Sequence, residues 1–583
     1  MVRPSYTMKL RILLLAALMA TLTKAQQQKA TTLTEPSVEV RLRQGVISGD
    51  LSEAGNGRVF YSFKTIPFAE PPVGDLRFRD PVPAGPWAGV RNGSIATPKC
   101  AQLSNNSTVQ GVEDCLYLSV YTPRPYASDL PVMVWIHGGG FTNGQGESFG
   151  PLPLLTKDVV LVVMQYRLGT LGFLSTEDSV LPGNLGLKDQ RLALLWVQDN
   201  IRDLGGNPGQ VTLFGESAGA GAVHFHVLSP MSSGLFCRAI LQSGTSLCPW
   251  AMAENHREVA DKIGQMMNCS RPYDQQTISS SGLVACLRNA PYQDLIAAQK
   301  EFVIFNESPQ VMLPRVDGHF LPDYPAILLR KGWYNKVDII SGVTQDEGAV
   351  LGLIFSLDNA TADNLVRNFS VNGPVSLMFG DSEDDPGYLA RRAFHHYLGP
   401  IEQPAEKRDP IIRLFSDRMF DMCHLDAVGQ HLRTSHQNVF TYRLQHDGEY
   451  QFVFGLFNTT PEWYKGYVGH ADDILYLFSQ EKFNQTLKRD EDLFVSRIMV
   501  EMWTNFASFG HPTPDMSLGF KWKPTSFPKD SYLAITSSPS MKTFEDCETR
   551  EFWKNMPTKN NKMLYPERFY KCHLPGCIDM FQQ

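Results

Sequence analysis

The chain is punctuated by short, mainly apolar runs without a regular polar alternation. Val132-Met133-Val134-Trp135-Ile136 is one, followed by His137 and three glycines. Val159–Gln165, Val211–Phe214, Ala239–Leu241, Val337–Ile340 and Val439–Tyr442 are others. A strand with one wet face alternates apolar and polar residues, whereas a strand apolar throughout is buried on both faces, as in a parallel sheet. Stretches of helical spacing lie between the runs. Leu185–Ile201 carries Leu187, Leu192, Leu195 and Trp196 on one side. The pattern predicts an α/β fold, with a large, mostly parallel central sheet covered by helices on both faces. In such sheets ligands sit beyond the carboxyl ends of the strands, which is where reactive residues are sought.

Charge and composition narrow the function. Lys and Arg number 53 against 60 Asp and Glu, a net charge of −7. No basic excess exists to hold a polyphosphate, so nucleic acid is not an expected partner. At 43% hydrophobic and 19% charged residues, the chain is neither disordered nor fibrous. Arg3, Lys9 and Arg11 precede a short apolar run, Ile12–Met19, and Thr23-Lys24-Ala25 offers a small-residue cleavage site. Residues 1–25 therefore read as a secretory signal, because a membrane span takes about 20 apolar residues. No later stretch reads as a stable span. Residues 26–583 contain no repeat or long linker and read as one unit.

Two features agree with a secreted, extracellular destination. Asn-x-Ser/Thr sequons stand at Asn92, Asn105, Asn106, Asn268, Asn306, Asn359, Asn368, Asn458 and Asn484. The ten cysteines form no paired Cys-x-x-Cys motifs, and their even number favours disulfides over a metal site.

The pattern Gly-x-Ser-x-Gly occurs twice, around Ser148 and around Ser217. A nucleophile elbow needs a strand, a tight turn and a helix. Ser217 follows the run Val211–Phe214 and precedes small residues, Ala218 to Ala222, that let a helix approach a sheet. Ser148 follows Asn143-Gly144-Gln145 and precedes Pro151 and Pro153, so it reads as loop. A serine hydroxyl needs a base to take its proton and donors for the developing oxyanion. Gly138-Gly139-Gly140, opening off a buried strand, offers exposed amides, and Ala218 adds another at a helix start.

Fourteen histidines compete for the role of base. His224 and His226 lie on the expected helix after Ser217, and nearness in sequence does not place them over its hydroxyl. His470 stands in Gly469-His470-Ala471-Asp472-Asp473, ahead of the apolar run Ile474–Phe478. That run reads as a helix capped by Asp472 or Asp473. The α/β-hydrolase order Ser, acid, His puts the acid between these two residues. Asp346 and Glu347, beyond the run Val337–Ile340, both satisfy it, and spacing alone leaves the choice open.

Taken together, Glu113-Asp114-Cys115-Leu116-Tyr117-Leu118, His137-Gly138-Gly139-Gly140-Phe141, Phe214-Gly215-Glu216-Ser217-Ala218-Gly219 and Gly469-His470-Ala471-Asp472-Asp473 resemble the type-B carboxylesterase/cholinesterase family of α/β-hydrolases. The likeness runs from about residue 36 to 556, and Ser246-Leu247-Cys248-Pro249-Trp250-Ala251 resembles secreted insect carboxylesterases. The resemblance implies an α/β-hydrolase fold with insertions walling an active-site gorge. It also implies Ser217 as nucleophile, Glu347 as acid and His470 as base, with an oxyanion hole at Gly139, Gly140 and Ala218. Glu216 and Trp250 are implied at the substrate pocket, and Ser243 beside the triad. Arg77 with Glu113, and Arg167 with Asp189, resemble structural ion pairs of the family. Cys100–Cys115 and Cys269–Cys286 resemble its first two disulfides. Cys423 resembles the start of the third, for which Cys547 is the nearest candidate; Cys572 and Cys577 are left to pair with each other.

The implied reaction is hydrolysis of a small-molecule carboxylic ester, with no metal or organic cofactor. The loop between Cys100 and Cys115 holds no tryptophan, which argues against the choline-stacking pocket of cholinesterases. Glu216 stands where juvenile hormone esterases usually have Gln, which argues against that specialised role. A slow sequestering or adhesion protein of the same superfamily is the alternative. The physiological ester and the oligomeric state are not written in the motifs.

Overall fold

The computed structural model describes residues 38–570 apart from 105–107, 127, 270–277, 307, 358, 381–382, 401–406, 454–461, 480–486 and 527–529. The expected signal, Cys572, Cys577 and the sequons at Asn105, Asn106, Asn458 and Asn484 lie outside the described residues, as does the side chain of Asn359.

An antiparallel flank comes first along the chain. β1 (Val38–Arg41), β2 (Val46–Glu53) and β3 (Val59–Pro67) pair in sequence order, and β4 (Val90–Asn92) adds to β2. β5 (Gln102–Leu103) and β6 (Val109–Gln110) make a separate small hairpin. β7 (Tyr117–Thr122) then joins β3 to β9 (Val160–Met164), and β8 (Leu130–Ile136) pairs with β9 in parallel. The parallel series continues through β10 (Gly206–Glu216), β11 (Arg238–Gln242), β12 (Asp338–Thr344), β13 (Val439–Leu444) and β14 (Ser531–Ile535). β15 (Ser540–Thr543) closes the edge antiparallel to β14. Among the described residues these make one sheet of thirteen strands.

The apolar runs are explained by two cores, one on each face. Along β8, Val132, Val134 and Ile136 enter one cluster while Met133 and Trp135 enter the other. Successive side chains of a strand point to opposite faces, so every position must be apolar where both faces are covered. The helices Leu185–Asn200 and Ala218–Leu228 cover the first face. Asp490–Phe509 covers the second with Met499, Trp503 and Phe506.

The two structural ion pairs form as expected. Arg77 grips Glu113 through two bonds of 2.6 Å. Arg167 donates to Asp189 at 2.8 and 2.6 Å, with side chains 4% and 0% exposed.

Cys100–Cys115 and Cys269–Cys286 form, but the third expected pairing does not. Cys423 bonds Cys248, with Cα atoms 4.9 Å apart, and Cys547 is an exposed free thiol at the start of the helix Cys547–Lys554. The inward-facing Cys423 meets the turn after β11, where the Thr245 hydroxyl donates to its carbonyl at 3.3 Å. Spacing along the chain carried no sign of that meeting.

Candidate active site

Parallel registration brings the ends of four strands to one edge. Gly215 pairs with Ile136 and Leu241, Glu216 with Gln242, and Gln242 with Gly342. The residues after β8, β10, β11 and β12 are therefore neighbours.

Ser217 sits at the turn between β10 and the helix Ala218–Leu228, with φ 57° and ψ −125°. A serine with positive φ is strained, and such strain is held where the surroundings determine it. Here the Ser217 amide donates to the Gln242 carbonyl at 2.9 Å and the Ser217 carbonyl accepts from Gly221 at 2.9 Å. The flanking glycines are required by space. A Cβ on Gly219 would stand 2.1 Å from the Ile136 carbonyl oxygen, and one on Gly215 would stand 2.6 Å from the backbone of Gly219. Ser148 ends a three-residue 3-10 turn, Gly146–Ser148, and its hydroxyl accepts from Gln145. No strand delivers it.

The glycine run after β8 is held from behind. Tyr166 donates to the His137 carbonyl at 2.9 Å and stacks on the His137 ring. Burial lowers His137 to about 4, so its imidazole is neutral. Gly139 and Gly140 have φ of 105° and 59°, and their amides have no acceptor among the described residues. Ala218 is the first helical residue, where no intrahelical acceptor exists for its N–H.

The two adjacent acids face different partners. Glu347 is fully buried, and its Oε2 lies 2.6 Å from Nδ1 of His470. Its Oε1 accepts from the Ser243 hydroxyl at 2.5 Å and the Thr344 amide at 2.7 Å. Asp346 instead ties the turn to the histidine loop: its carboxylate accepts from the Val468 amide, and its own amide donates to the Val468 carbonyl. Neither Asp472 nor Asp473 caps a helix. The run after His470 is a 3-10 segment, Asp472–Tyr476, whose N-cap is Ala471. Asp472 accepts from the amides of Gly469 and Phe452, and Asp473 from Tyr442 and Gln242, so both acids brace the loop internally.

Nε2 of His470 faces Glu216, whose Oε1 is 3.1 Å away but off the line of a hydrogen bond. Burial pushes Glu216 up to about 8. Burial opposes charge on His470 too, but Glu216 and Glu347 outweigh it and push the imidazole up to about 9. His224 and His226 lie elsewhere in the buried helix, bonded to His431 and to Ser232 and Gln190.

Ser217 opens into a cleft of about 180 Å³ shared by Gly140, Trp250, Gln310, Met419 and Phe420. Trp250 lines this cleft, and its Nε1 donates to the Met419 carbonyl at 2.9 Å. Met419 and Phe420 were not anticipated. They come from a π-helical turn, Asp417–Asp421, and the Phe420 ring lies 4.5 Å from that of His470. No short motif marks such a turn.

The sequence profile of the carboxylesterase family matches residues 35–553. The chain is 36% identical to a juvenile hormone esterase of Tribolium castaneum, over 85% of this chain and 87% of that protein. Esterase FE4 of Myzus persicae is 34% identical, over 87% and 90%, and venom carboxylesterase-6 of Apis mellifera 33%, over 89% and 94%. The chain belongs to the carboxylesterase family, carboxylic-ester hydrolases of the α/β-hydrolase fold.

Proposed function

We propose that the protein hydrolyses its ester through an acyl-enzyme on Ser217, with His470 as base and Glu347 as its orienting acid. The observation that carries this reading is the pairing of a strained serine elbow with a buried carboxylate 2.6 Å from Nδ1 of a histidine. His470 takes the proton of Ser217 as the oxygen attacks the ester carbonyl. The amides of Gly139, Gly140 and Ala218 receive the oxyanion. His470 then protonates the leaving alcohol, and water repeats the sequence to release the acid. Glu347 holds the imidazole's tautomer and stabilises its cation. No step requires a metal or an organic cofactor.

Ser217→Ala is expected to lower turnover of a simple aryl ester by about 10³-fold or more without loss of fold, while Ser148→Ala leaves it unchanged. Ordinary turnover in the Ser217 variant sinks the assignment. The juvenile hormone esterase among the relatives favours a second reading. Glu216 in place of Gln supports the general esterase instead, and a panel that includes methyl esters of long isoprenoid acids separates the two. Stoichiometric serine labelling without turnover would mark a sequestering protein.

We also propose that residues 1–25 direct export and that 26–583 act as one secreted catalytic unit. Among the described residues no helix is long and apolar enough to cross a membrane. Asn92, Asn268 and Asn368 are exposed, as glycan acceptors require, whereas Asn306 lines the Ser217 cleft. Medium from expressing cells should hold the protein, and a glycosidase should reduce its apparent mass.

A further inference from the structure

Gln310 is one of the polar residues lining the Ser217 cleft, with Asn306, Ser308 and Ser376, and the proposed reaction leaves it unused. Its neighbours in the wall are largely apolar: Trp250, Phe305, Val350, Leu351 and Met378. Its carboxamide lies against Gly140, and a Cβ built on that glycine would stand 2.9 Å from Nε2 and 3.2 Å from Oε1. The amide thus packs on one of the backbone groups proposed to receive the oxyanion.

Neither end of the carboxamide is paired. Oε1 is buried without a hydrogen-bond partner, and Nε2 finds none among the described residues. The segment that carries Gln310 is anchored nearby. Ala253 donates to the Pro314 carbonyl at 3.1 Å, and Asn184 exchanges bonds of 2.9 and 2.8 Å with the backbone of Arg315. An amide with one buried acceptor and one free donor in a largely apolar cleft is a recognition element in want of a complementary group. A hydroxyl is that group, because it donates to Oε1 or accepts from Nε2.

We propose that Gln310 is a specificity-determining residue and that the preferred substrate is an ester bearing a hydroxyl close to its carbonyl. The inference rests on the esterase reading and deepens it. The discrimination has a physical basis. An apolar pocket barely distinguishes a hydroxyl from its absence, whereas a site built to bond a hydroxyl rejects the analogue that lacks it.

The test compares ethyl 3-hydroxybutyrate with ethyl butyrate, and 2-hydroxyethyl butyrate with ethyl butyrate, so that the hydroxyl lies on the acyl or the alcohol side. In the native enzyme kcat/KM should favour the hydroxylated member of at least one pair by about ten-fold or more. In Gln310→Leu that ratio should fall to about one, with Gln310→Met as the second variant if the first melts early. Ratios near one in the native enzyme, or a preference that survives in either folded variant, overturn the proposal. Calorimetric binding of the same esters to Ser217→Ala supplies a readout independent of turnover. Absence of turnover in the native enzyme would count against the esterase reading, and the binding ratio would still decide the role of Gln310.

Discussion

At the scale of single residues, the proposed base is flanked by two carboxylates with different duties. Glu347 holds Nδ1 by a bond of 2.6 Å, while Glu216 stands 3.1 Å from Nε2, the nitrogen proposed to accept the serine proton. Both favour the imidazolium, which places His470 at about 9 against its ordinary 6.5. Only neutral imidazole can act as base, so activity should rise as pH climbs through the pKa of His470. Glu216→Gln removes one carboxylate that stabilises the cation. The pKa falls, neutral base appears at lower pH, and the midpoint of kcat/KM should move to acid by about 1–2 units. A merely structural role would lower activity at every pH and leave the midpoint in place. A pH–rate profile of the folded variant with an unmoved or more alkaline midpoint would refute the electrostatic role.

At the scale of elements, the site is an edge of parallel strands completed by turns. Much of that was legible. The apolar runs marked the strands because both faces are buried, and Gly215 and Gly219 marked the elbow because a Cβ at either would strike backbone. Asp346 and Glu347 could not be separated by spacing, since adjacent residues on one turn differ only in which way they face. Phe420 and Gln310 were invisible for another reason: they arrive from distant segments that carry no local pattern. Cys423 belongs with them. Its bond to Cys248 joins the turn bearing Trp250 to the helix that follows Phe420, so it clamps two walls of the cleft. The bridge spans 175 residues, and the loop-entropy relation gives about 5 kcal/mol for such a closure. Cys248→Ser with Cys423→Ser should therefore lower the melting temperature and broaden tolerance for acyl chain length. Unchanged melting together with unchanged chain-length selectivity would deny the clamp both roles.

At the scale of the whole molecule, distant parts of the chain are locked by buried charge. Arg167 follows β9, Asp189 lies in the helix Leu185–Asn200, and a further guanidinium nitrogen of Arg167 donates to the Arg79 carbonyl at 2.9 Å. One side chain thus connects the N-terminal flank, the sheet and a covering helix. Such a pair adds little over a well-packed apolar replacement, but breaking it strands a buried charge. Asp189→Asn keeps the shape and removes the counter-charge, so it should cost about 3 kcal/mol or more, a large part of the 5–15 kcal/mol that typically holds a domain. The effect should be confined to stability, because neither residue lines the Ser217 cleft. Protein that folds should keep the pH midpoint and ester preference of the native enzyme while melting well below it. Native melting in Asp189→Asn would show that the pair is not a lock, and an altered ester preference would show that it reaches the cleft.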